Sequence, residues 1–402
     1  MKACIVGGGP CGMMLGVLLA RAGVQVRVLE KYGDFFRDFR GDTIHPSTLQ
    51  VLFELGWLNE FLALPHDEMS SMAACIAGET VQVADFSHVP THCKFIAFMP
   101  QWDFLNFLAA KGKAYPTFAL SMRTEGVDLI ERDGRVAGVV AAAEDGTRFE
   151  IEADLVVGTD GRHSTIRARA GFEVEDVGAP MDVLWMRITK KPGDPMRPLG
   201  TMNAGRILVM IDRGDYWQCA YIIPKGSYPA LQAAGLESFQ HDLAQVVPEI
   251  ADRVGRIDDW SKISLLEVRV DRLRRWHRPG VLCIGDAAHA MSPVGGVGIN
   301  LAIQDAVAAA NALAGPLLDG TLGDSDLAAV QSRRTFPTVV TQAVQVFIQD
   351  RGIDPVLRGA QVRKPPLPFR LLDEFPRLRA LPARALGIGV RPERVRTRDA
   401  FG

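Results

Sequence analysis

A glycine-rich turn near the amino terminus constrains the fold of this 402-residue chain more than any other feature. Residues 2–6 form a short apolar run, typical of a buried parallel strand, and residues 7–12 form the turn G-x-G-x-x-G. An apolar helix over residues 13–22 follows, and residues 24–29 then lead to Glu30. A strand, a helix and a strand within roughly 30 residues predict a βαβ unit, and hence a parallel sheet.

The same turn predicts a ligand. Gly7, Gly9 and Gly12 permit a tight turn and let the backbone approach a pyrophosphate, while the helix amino terminus offers N–H groups and partial positive charge. Glu30 follows about 20 residues later, where a carboxylate can accept both hydroxyls of an adenosine ribose. A turn that merely packs tightly is the simpler interpretation, but the placement of Glu30 favours a dinucleotide, either NAD or FAD.

Composition disfavours several other classes of protein. With 45 Lys and Arg residues against 47 Asp and Glu residues, the formal net charge is -2, which gives no electrostatic reason to expect nucleic acid or a membrane as partner. The six cysteines are scattered without a C-x-x-C pair, so we expect no disulfides and a cytoplasmic location. The apolar stretch 3–20 resembles a signal peptide or membrane span, but its glycines favour a buried strand, turn and helix.

The rest of the chain divides into segments with different patterns. Two D-G pairs, at 133–134 and 145–146, predict an antiparallel meander inserted into the parallel sheet. After Asp326 we expect two helices divided by Pro337 and then a tail that wraps over the body. The expected domain boundaries are 1–72, 98–180 and 272–325 for a discontinuous dinucleotide-binding domain, 73–97 and 181–271 for a substrate domain, and 326–402 for C-terminal helices and tail.

Two further motifs follow apolar strands. Residues 156–167 carry Asp160-Gly161, and residues 281–289 carry Gly285-Asp286. An acid at the carboxyl end of a parallel strand lies where such sheets bind ligands, and Asp286 can hold a ribityl hydroxyl there. The glycine-rich residues 293–300 then open a helix, whose terminus would stabilise negative charge on a flavin ring edge by about 0.3–1 kcal/mol. The second and third motifs therefore favour FAD.

In this order the three motifs resemble those of the FAD-dependent aromatic hydroxylases, the single-component (group A) flavoprotein monooxygenases of the para-hydroxybenzoate hydroxylase type. The resemblance extends from residue 1 to about 313. It implies an α/β fold with an FAD-binding Rossmann-type, glutathione-reductase-like domain, an inserted mixed-sheet substrate domain and C-terminal helices. No second G-x-G-x-x-G is present, so no separate nicotinamide domain is expected.

The resemblance also implies roles for individual residues. Arg40 matches an arginine near the flavin phosphates and ribityl chain, and Gln101 stands where the family has an Arg or Gln contacting FAD. Asp160 and Gly161 match a motif that contributes to FAD and NAD(P)H binding. The expected cofactor-binding residues are Gly7, Gly9, Gly12, Glu30, Lys31, Arg40, Gln101, Asp160, Gly161, Gly285, Asp286, Pro293, Gly296, Gly298, Ile299 and Asn300.

The chemistry expected on this interpretation is oxygen insertion into an aromatic or polyketide-like small molecule. NADH or NADPH would reduce the FAD as a transient co-substrate, and O2 would add to the flavin at C4a before one oxygen atom passes to an electron-rich ring. The chain could form a homodimer. Two alternatives stay open, namely an FAD-dependent reductase or dehydrogenase without oxygen insertion, and a flavin-binding redox sensor without turnover.

No pair of residues identifies a general base, and the candidates for a catalytic role are Tyr221, His45 and Pro293. The aromatic face of the strand over residues 215–224 could cover the substrate or belong to an ordinary core.

Two other groups of residues have simpler interpretations. His88, His92 and Cys93 lack an evident fourth ligand, so we expect no metal site. A cluster of four arginines would be a solvated basic face or, alternatively, a docking point for a nicotinamide phosphate. Its members are Arg272, Arg274, Arg275 and Arg278.

Overall fold

The computed structural model describes residues 1–36, 43–194, 199–203, 205–360 and 362–402. Its strands, in chain order, are β1 (Lys2–Val6), β2 (Gln25–Leu29), β3 (Thr43–Ile44), β4 (Asp67–Met69), β5 (Ser71–Ile76), β6 (Glu79–Asp85), β7 (Ile96–Phe98), β8 (Phe118–Ser121), β9 (Thr124–Arg132), β10 (Arg135–Ala143), β11 (Arg148–Glu152), β12 (Leu155–Gly158), β13 (Val174–Asp176), β14 (Met181–Thr189), β15 (Gly200–Asn203), β16 (Arg206–Asp212), β17 (Tyr216–Pro224), β18 (Ser264–Leu266), β19 (Asp271–Leu273), β20 (His277–Arg278), β21 (Val281–Cys283) and β22 (His289–Ala290). Its helices are α1 (Pro10–Arg21), α2 (Pro46–Glu54), α3 (Leu58–Leu62), α4 (Gln101–Lys113), α5 (Thr165–Arg169), α6 (Tyr228–Ala234), α7 (Leu236–Val246), α8 (Gly298–Asp319), α9 (Asp324–Ile348), α10 (Asp354–Leu357), α11 (Leu367–Glu374) and α12 (Ala380–Gly387). A π-helical turn, Gln349–Ile353, joins α9 to α10.

The sheet that carries the amino-terminal motif has the strand order β20-β21-β12-β1-β2-β8, and only β20 runs antiparallel to its neighbour. Its central strands are apolar and buried, as strands covered on both faces must be. Helix α1 packs against α4 and α8. The antiparallel meander β9-β10-β11 lies between β8 and β12 in the chain. The predicted α/β fold with a Rossmann-type sheet is confirmed.

A second sheet has the order β18-β14-β17-β16-β15-β5-β6 and is antiparallel except where β15 pairs with β5. It places residues 71–85 beside residues 200–203, two segments that the sequence assigns largely to one domain. Alternate side chains point to opposite faces of such a sheet. The outer face packs on α7 and includes Leu184, Met186, Cys219 and Tyr221. The inner face includes Val183, Trp185, Val209, Ala220 and Ile222.

The prediction of two helices divided by Pro337 is wrong, because α9 runs through this residue as one helix of 25 residues. An interior proline removes one helical hydrogen bond and usually costs about 3 kcal/mol. Tertiary contacts offset this cost, since Arg334 and Thr338 on the same helix are buried. Beyond the proline, Gln342 on the same helix donates to the carbonyl oxygen of Ala290 at 3.1 Å.

The tail crosses the amino-terminal half of the molecule, as the sequence predicted. Arg21 of α1 donates to the carbonyl oxygen of Thr397 at 2.9 Å, and Glu54 accepts from the backbone N–H of Val395 at 2.9 Å. The segment Val294–Asp319 is long and apolar enough to cross a membrane, but 67% of its most apolar window is buried inside the protein. A long apolar helix that is mostly buried is typical of the core of a folded protein. All six cysteines are free thiols.

Candidate active site

The three motifs of the sequence meet at one edge of the parallel sheet. Val6 at the end of β1 pairs with Gly158 at the end of β12, and Gly158 pairs with Cys283 at the end of β21. The turns that follow these strands are therefore neighbours, because the carboxyl ends of parallel strands share an edge. The hydroxyl of Thr159 joins the first two turns by donating to the carbonyl oxygen of Gly7 at 2.8 Å.

The three glycines of the first turn have different physical roles. Gly7 has a φ of +112°, and a Cβ on this residue would lie 2.5 Å from the carbonyl oxygen of Thr159. A Cβ on Gly12 would lie 2.0 Å from the carbonyl oxygen of Gly7. Both positions therefore need glycine for the fold itself. A Cβ on Gly9 would meet nothing within 4 Å, so the surface at the start of α1 is open and a phosphate group fits there.

Glu30 is buried beside this turn, at the end of β2. One carboxylate oxygen accepts the backbone N–H of Gly8 at 3.1 Å, and the other accepts that of Tyr32 at 3.0 Å. These bonds fix the orientation of the carboxylate beside the turn. The next residue, Lys31, is exposed, and its ammonium group lies 3.8 Å from a carboxylate oxygen of Glu125 on β9.

The side chain of Asp160 is engaged by the protein itself. Its carboxylate accepts the hydroxyl of Ser164 and, at 3.1 Å, the backbone N–H of Ile166 at the start of α5. Burial raises the pKa of Asp160, and these hydrogen bonds oppose the rise. Gly161 follows with a φ of +83°, which favours glycine. The carboxylate thus shapes the turn, and a contact of Asp160 with the cofactor remains a prediction.

Asp286 lies in a 3-10 turn, Gly285–Ala287, at the end of β21. Its carboxylate is 32% exposed and lies 3.7 Å from the guanidinium of Arg162, so the second and third motifs are joined electrostatically. A Cβ on Gly285 would lie 3.1 Å from the sulfur of Cys11 on α1. This close packing brings the third motif against the first helix and leaves the Asp286 carboxylate accessible to a ribityl chain.

The loop before α8 is fixed by Asn300. The side-chain oxygen of Asn300 accepts the backbone N–H of His45 at 2.9 Å and the hydroxyl of Thr48 at 2.7 Å. Its amide nitrogen donates to the carbonyl oxygens of Thr43 at 3.2 Å and Gly296 at 3.4 Å. Asn300 therefore positions the loop, while the N–H groups of the first turn of α8 lack partners within the helix.

His45 is a buried neutral imidazole beside this loop. Its Nδ1 lies 2.8 Å from the carbonyl oxygen of Leu386, which can only accept, so Nδ1 carries the proton and Nε2 keeps its lone pair. Burial lowers the pKa of His45 to about 4. Nε2 has no hydrogen-bond partner among the residues that the structure describes. The side chain of Leu386 also contacts Gly295, which has a φ of +79°.

The other catalytic candidates have different surroundings. Tyr221 lies on the outer face, where its ring meets Phe239 edge to face at 5.4 Å. Burial raises the pKa of Tyr221 to about 12, and the sheet separates the phenol from the inner face. The loop before α8 packs on the inner face through Val294, so this position argues against a catalytic role for Tyr221 and against an aromatic cover over the substrate. The carbonyl oxygen of Pro293 accepts the N–H of Gly296 at 3.0 Å, so Pro293 closes the loop turn.

Four other residues are predicted to bind the cofactor. Arg40 lies outside the described residues, and Gln101 is the first residue of α4. Gly298 and Ile299 open α8 directly after the loop.

Sequence reasoning missed Asp305, a fully buried acid in the middle of α8. Its carboxylate accepts the backbone N–H of Gly285 at 3.1 Å and also contacts His289 at 2.6 Å and Arg334 at 2.7 Å. Burial acts to raise the pKa of Asp305, but His289 and Arg334 hold it below the ordinary value. The sequence does contain a signal for Asp305, because it is a lone acidic residue within an apolar helix. A carboxylate that such a helix buries needs charged or hydrogen-bonding partners.

The arginine cluster is neutralised locally. Each of its four members forms an ion pair with a carboxylate, and the pairs are Arg272–Glu175, Arg274–Glu173, Arg275–Asp324 and Arg278–Glu131. This pairing disfavours a docking point for a nicotinamide phosphate. Within the described ranges, no group of three His, Cys, Asp or Glu side chains is arranged to hold a metal ion.

The residues at the sheet edge fit FAD, because the open surface at Gly9, the fixed carboxylate of Glu30 and the accessible carboxylate of Asp286 follow one another along it. Comparison with known proteins agrees. The family model of the FAD binding domain matches residues 1–345. The chain is 33% identical over 401 residues to 6-methylpretetramide 4-monooxygenase of Streptomyces rimosus, covering 99% of this chain and 94% of that protein.

More distant relatives show the same fold. The chain is 26% identical to the uncharacterized aromatic compound monooxygenase YhjG of Bacillus subtilis, over 76% of this chain and 60% of that protein. The crystal structure of PqsL, a probable FAD-dependent monooxygenase from Pseudomonas aeruginosa, matches with a TM-score of 0.74 at 23% identity, covering 89% of this chain and 98% of that one. Taken with the three converging motifs, the family match over residues 1–345 places this chain among the FAD-dependent aromatic hydroxylases, the single-component flavoprotein monooxygenases.

Proposed function

We propose that this protein hydroxylates a polycyclic aromatic polyketide, with NADH or NADPH as the transient reductant and O2 as the oxygen source. The observation that carries the proposal is the similarity over 99% of the chain to a 6-methylpretetramide 4-monooxygenase. A likeness in fold to the anhydrotetracycline hydroxylase OxyS of Streptomyces rimosus, with a TM-score of 0.77 at 23% identity and covering 98% of this chain and 77% of that one, is consistent with it.

In this proposal FAD lies along the carboxyl edge of the parallel sheet. The amino terminus of α1 beside Gly9 holds the pyrophosphate, Glu30 the adenosine ribose and Asp286 the ribityl chain. When bound, FAD supplies the electron-transfer and oxygen-activating chemistry. On this proposal the start of α8 would lie near the ring, because a helix amino terminus stabilises negative charge by about 0.3–1 kcal/mol.

The substrate would lie between the inner face of the second sheet and the loop before α8. Val294 of the loop packs in one apolar cluster with Val183 and Ala220 of the inner face. Such surroundings exclude water, which protects a reactive oxygen donor from side reactions. His45 can orient a phenol, because its Nε2 lone pair accepts a hydroxyl proton in a hydrogen bond. With its pKa lowered to about 4, the ring stays neutral at pH 7.

The test is aerobic consumption of NADH and NADPH by the FAD-loaded protein across a panel of phenols, anthraquinones and anhydrotetracycline, with product masses determined. We expect one compound to accelerate consumption and to yield a product one oxygen atom heavier. Accelerated consumption with a product that gains only hydrogen would identify a reductase instead. Flavin that neither nicotinamide reduces would point to a redox sensor and contradict the proposal.

A further inference from the structure

Helix α9 presents a row of buried glutamines to the segment that leads into the loop before α8. Gln342 donates to the carbonyl oxygens of Asp271 at 2.8 Å and Ala290 at 3.1 Å. One turn later, Gln345 donates to the carbonyl oxygens of Ser292 and Val294, both at 2.9 Å. The two amides therefore bind Ala290, Ser292 and Val294, every second residue of the segment that leads to the loop.

Gln349 continues this row, because residues spaced by three and four lie on one face of a helix. Gln349 is fully buried, yet neither its amide nitrogen nor its amide oxygen has a hydrogen-bond partner among the described residues. A buried amide without partners destabilises a folded protein. Such a group in a native fold needs an explanation, and a ligand that completes its hydrogen bonds is one.

The backbone at Gln349 is also unusual, since this residue begins the π-helical turn Gln349–Ile353. Single π-turns within helices occur often at functional sites. Ile353 in this turn and Val356 just after it pack in the same apolar cluster as Val294 and the inner face. The π-turn that Gln349 begins therefore leads into the apolar cluster that joins the inner face to the loop.

We propose that Gln349 is a recognition residue for the substrate, an inference that rests on the proposed function. A primary amide offers one acceptor and two donors, so it pairs with a substrate edge that carries a donor beside an acceptor. A primary carboxamide on an aromatic ring is such an edge. A site built to hydrogen-bond a ligand group rejects analogues that lack it, because its own polar atoms then stay unpaired.

The test uses two bicyclic ligands that differ in one group, 3-hydroxy-2-naphthamide and 2-naphthol. Calorimetric titration of the FAD-loaded protein should show the naphthamide binding at least tenfold more tightly. In Gln349→Leu this preference should disappear, while the affinity for 2-naphthol stays within twofold. Equal binding of both ligands by the unmodified protein, or absence of binding, would overturn the proposal, and so would a preference that survives in Gln349→Leu.

A second measurement separates recognition from a structural role. Gln349→Leu removes a buried amide that no residue in the described ranges pairs with, so the ligand-free protein should melt about 1–3 °C higher. Gln345→Leu, the matched control, breaks bonds to the loop and should melt several degrees lower. A fall in melting temperature for Gln349→Leu would mean that the amide is paired within the protein. Calorimetry measures binding without turnover. If Gln349→Leu loses the naphthamide preference while the unmodified enzyme oxygenates no compound, the recognition role of Gln349 stands and only the proposed function is refuted.

Discussion

Gly9 and Gly12 stand three residues apart in one motif, but the structure gives them different requirements. A Cβ on Gly12 would lie 2.0 Å from the carbonyl oxygen of Gly7, whereas a Cβ on Gly9 would meet nothing within 4 Å. Gly12 is therefore needed by the fold, and Gly9 is left for a ligand. The spacing in the sequence predicts the motif but does not separate these two roles.

We accordingly expect Gly9→Val to fold and to lose FAD. Its free energy of unfolding without cofactor should change by less than about 1 kcal/mol, because the side chain enters open space. Gly12→Val should lose roughly 3 kcal/mol or more, since backbone must move to admit the side chain. Urea unfolding of the cofactor-free variants and flavin absorbance after gel filtration measure both effects. A yellow Gly9→Val protein would contradict the cofactor assignment.

His45 should make stability depend on pH. Its pKa is lowered from 6.5 to about 4 in the folded protein, so on acidification the unfolded chain takes up the proton first. The stabilisation from His45 is therefore complete above pH 6.5 and is lost as the pH falls toward 4, by up to about 3 kcal/mol. His45→Gln should show a shallower loss over this range in urea unfolding. Parallel pH profiles would refute the assignment of a neutral buried ring.

At the scale of elements, α9 shows how tertiary contacts override a local signal. Pro337 predicts a break, and the helix nevertheless continues for 25 residues. Arg334, three residues before the proline, is buried and bonds Asp305 of α8 at 2.7 Å. It also reaches Glu393 of the tail at 3.4 Å. These distant carboxylates hold the helix in place, and no local sequence pattern predicts these contacts.

Removing the Arg334 side chain should therefore be costly. Arg334→Leu leaves the buried carboxylates of Asp305 and Glu393 short of a counter-charge, and we expect a loss of about 3–5 kcal/mol in urea unfolding. Arg333→Leu is the matched control, because Arg333 also binds Glu393 but is one-third exposed. The free energy of unfolding of Arg333→Leu should fall by about 1 kcal/mol. Equal losses of unfolding free energy in the two variants would show that burial of Arg334 does not determine how strongly its ion pairs stabilise the protein.

At the scale of the whole molecule, the site is assembled from segments far apart in the chain. Asn300 of α8 holds the backbone of His45, and the imidazole of His45 in turn meets the carbonyl of Leu386 near the carboxyl terminus. The second sheet likewise pairs residues 74–76 with residues 200–202. The sequence indicated the βαβ unit, the meander and the order of the three motifs, because each depends on residues within one short stretch.

By itself the sequence determined the α/β class, the glycine turn with Glu30 and the strand ends that carry Asp160 and Asp286. These features follow from hydrophobic periodicity and from backbone conformations that favour glycine, which are local properties. Only the tertiary structure decided that Tyr221 faces away from the inner face and that Gln349 is buried with no hydrogen-bond partner in the described part of the chain. The direction of a strand side chain relative to a distant domain depends on sheet register and packing, which no single segment encodes.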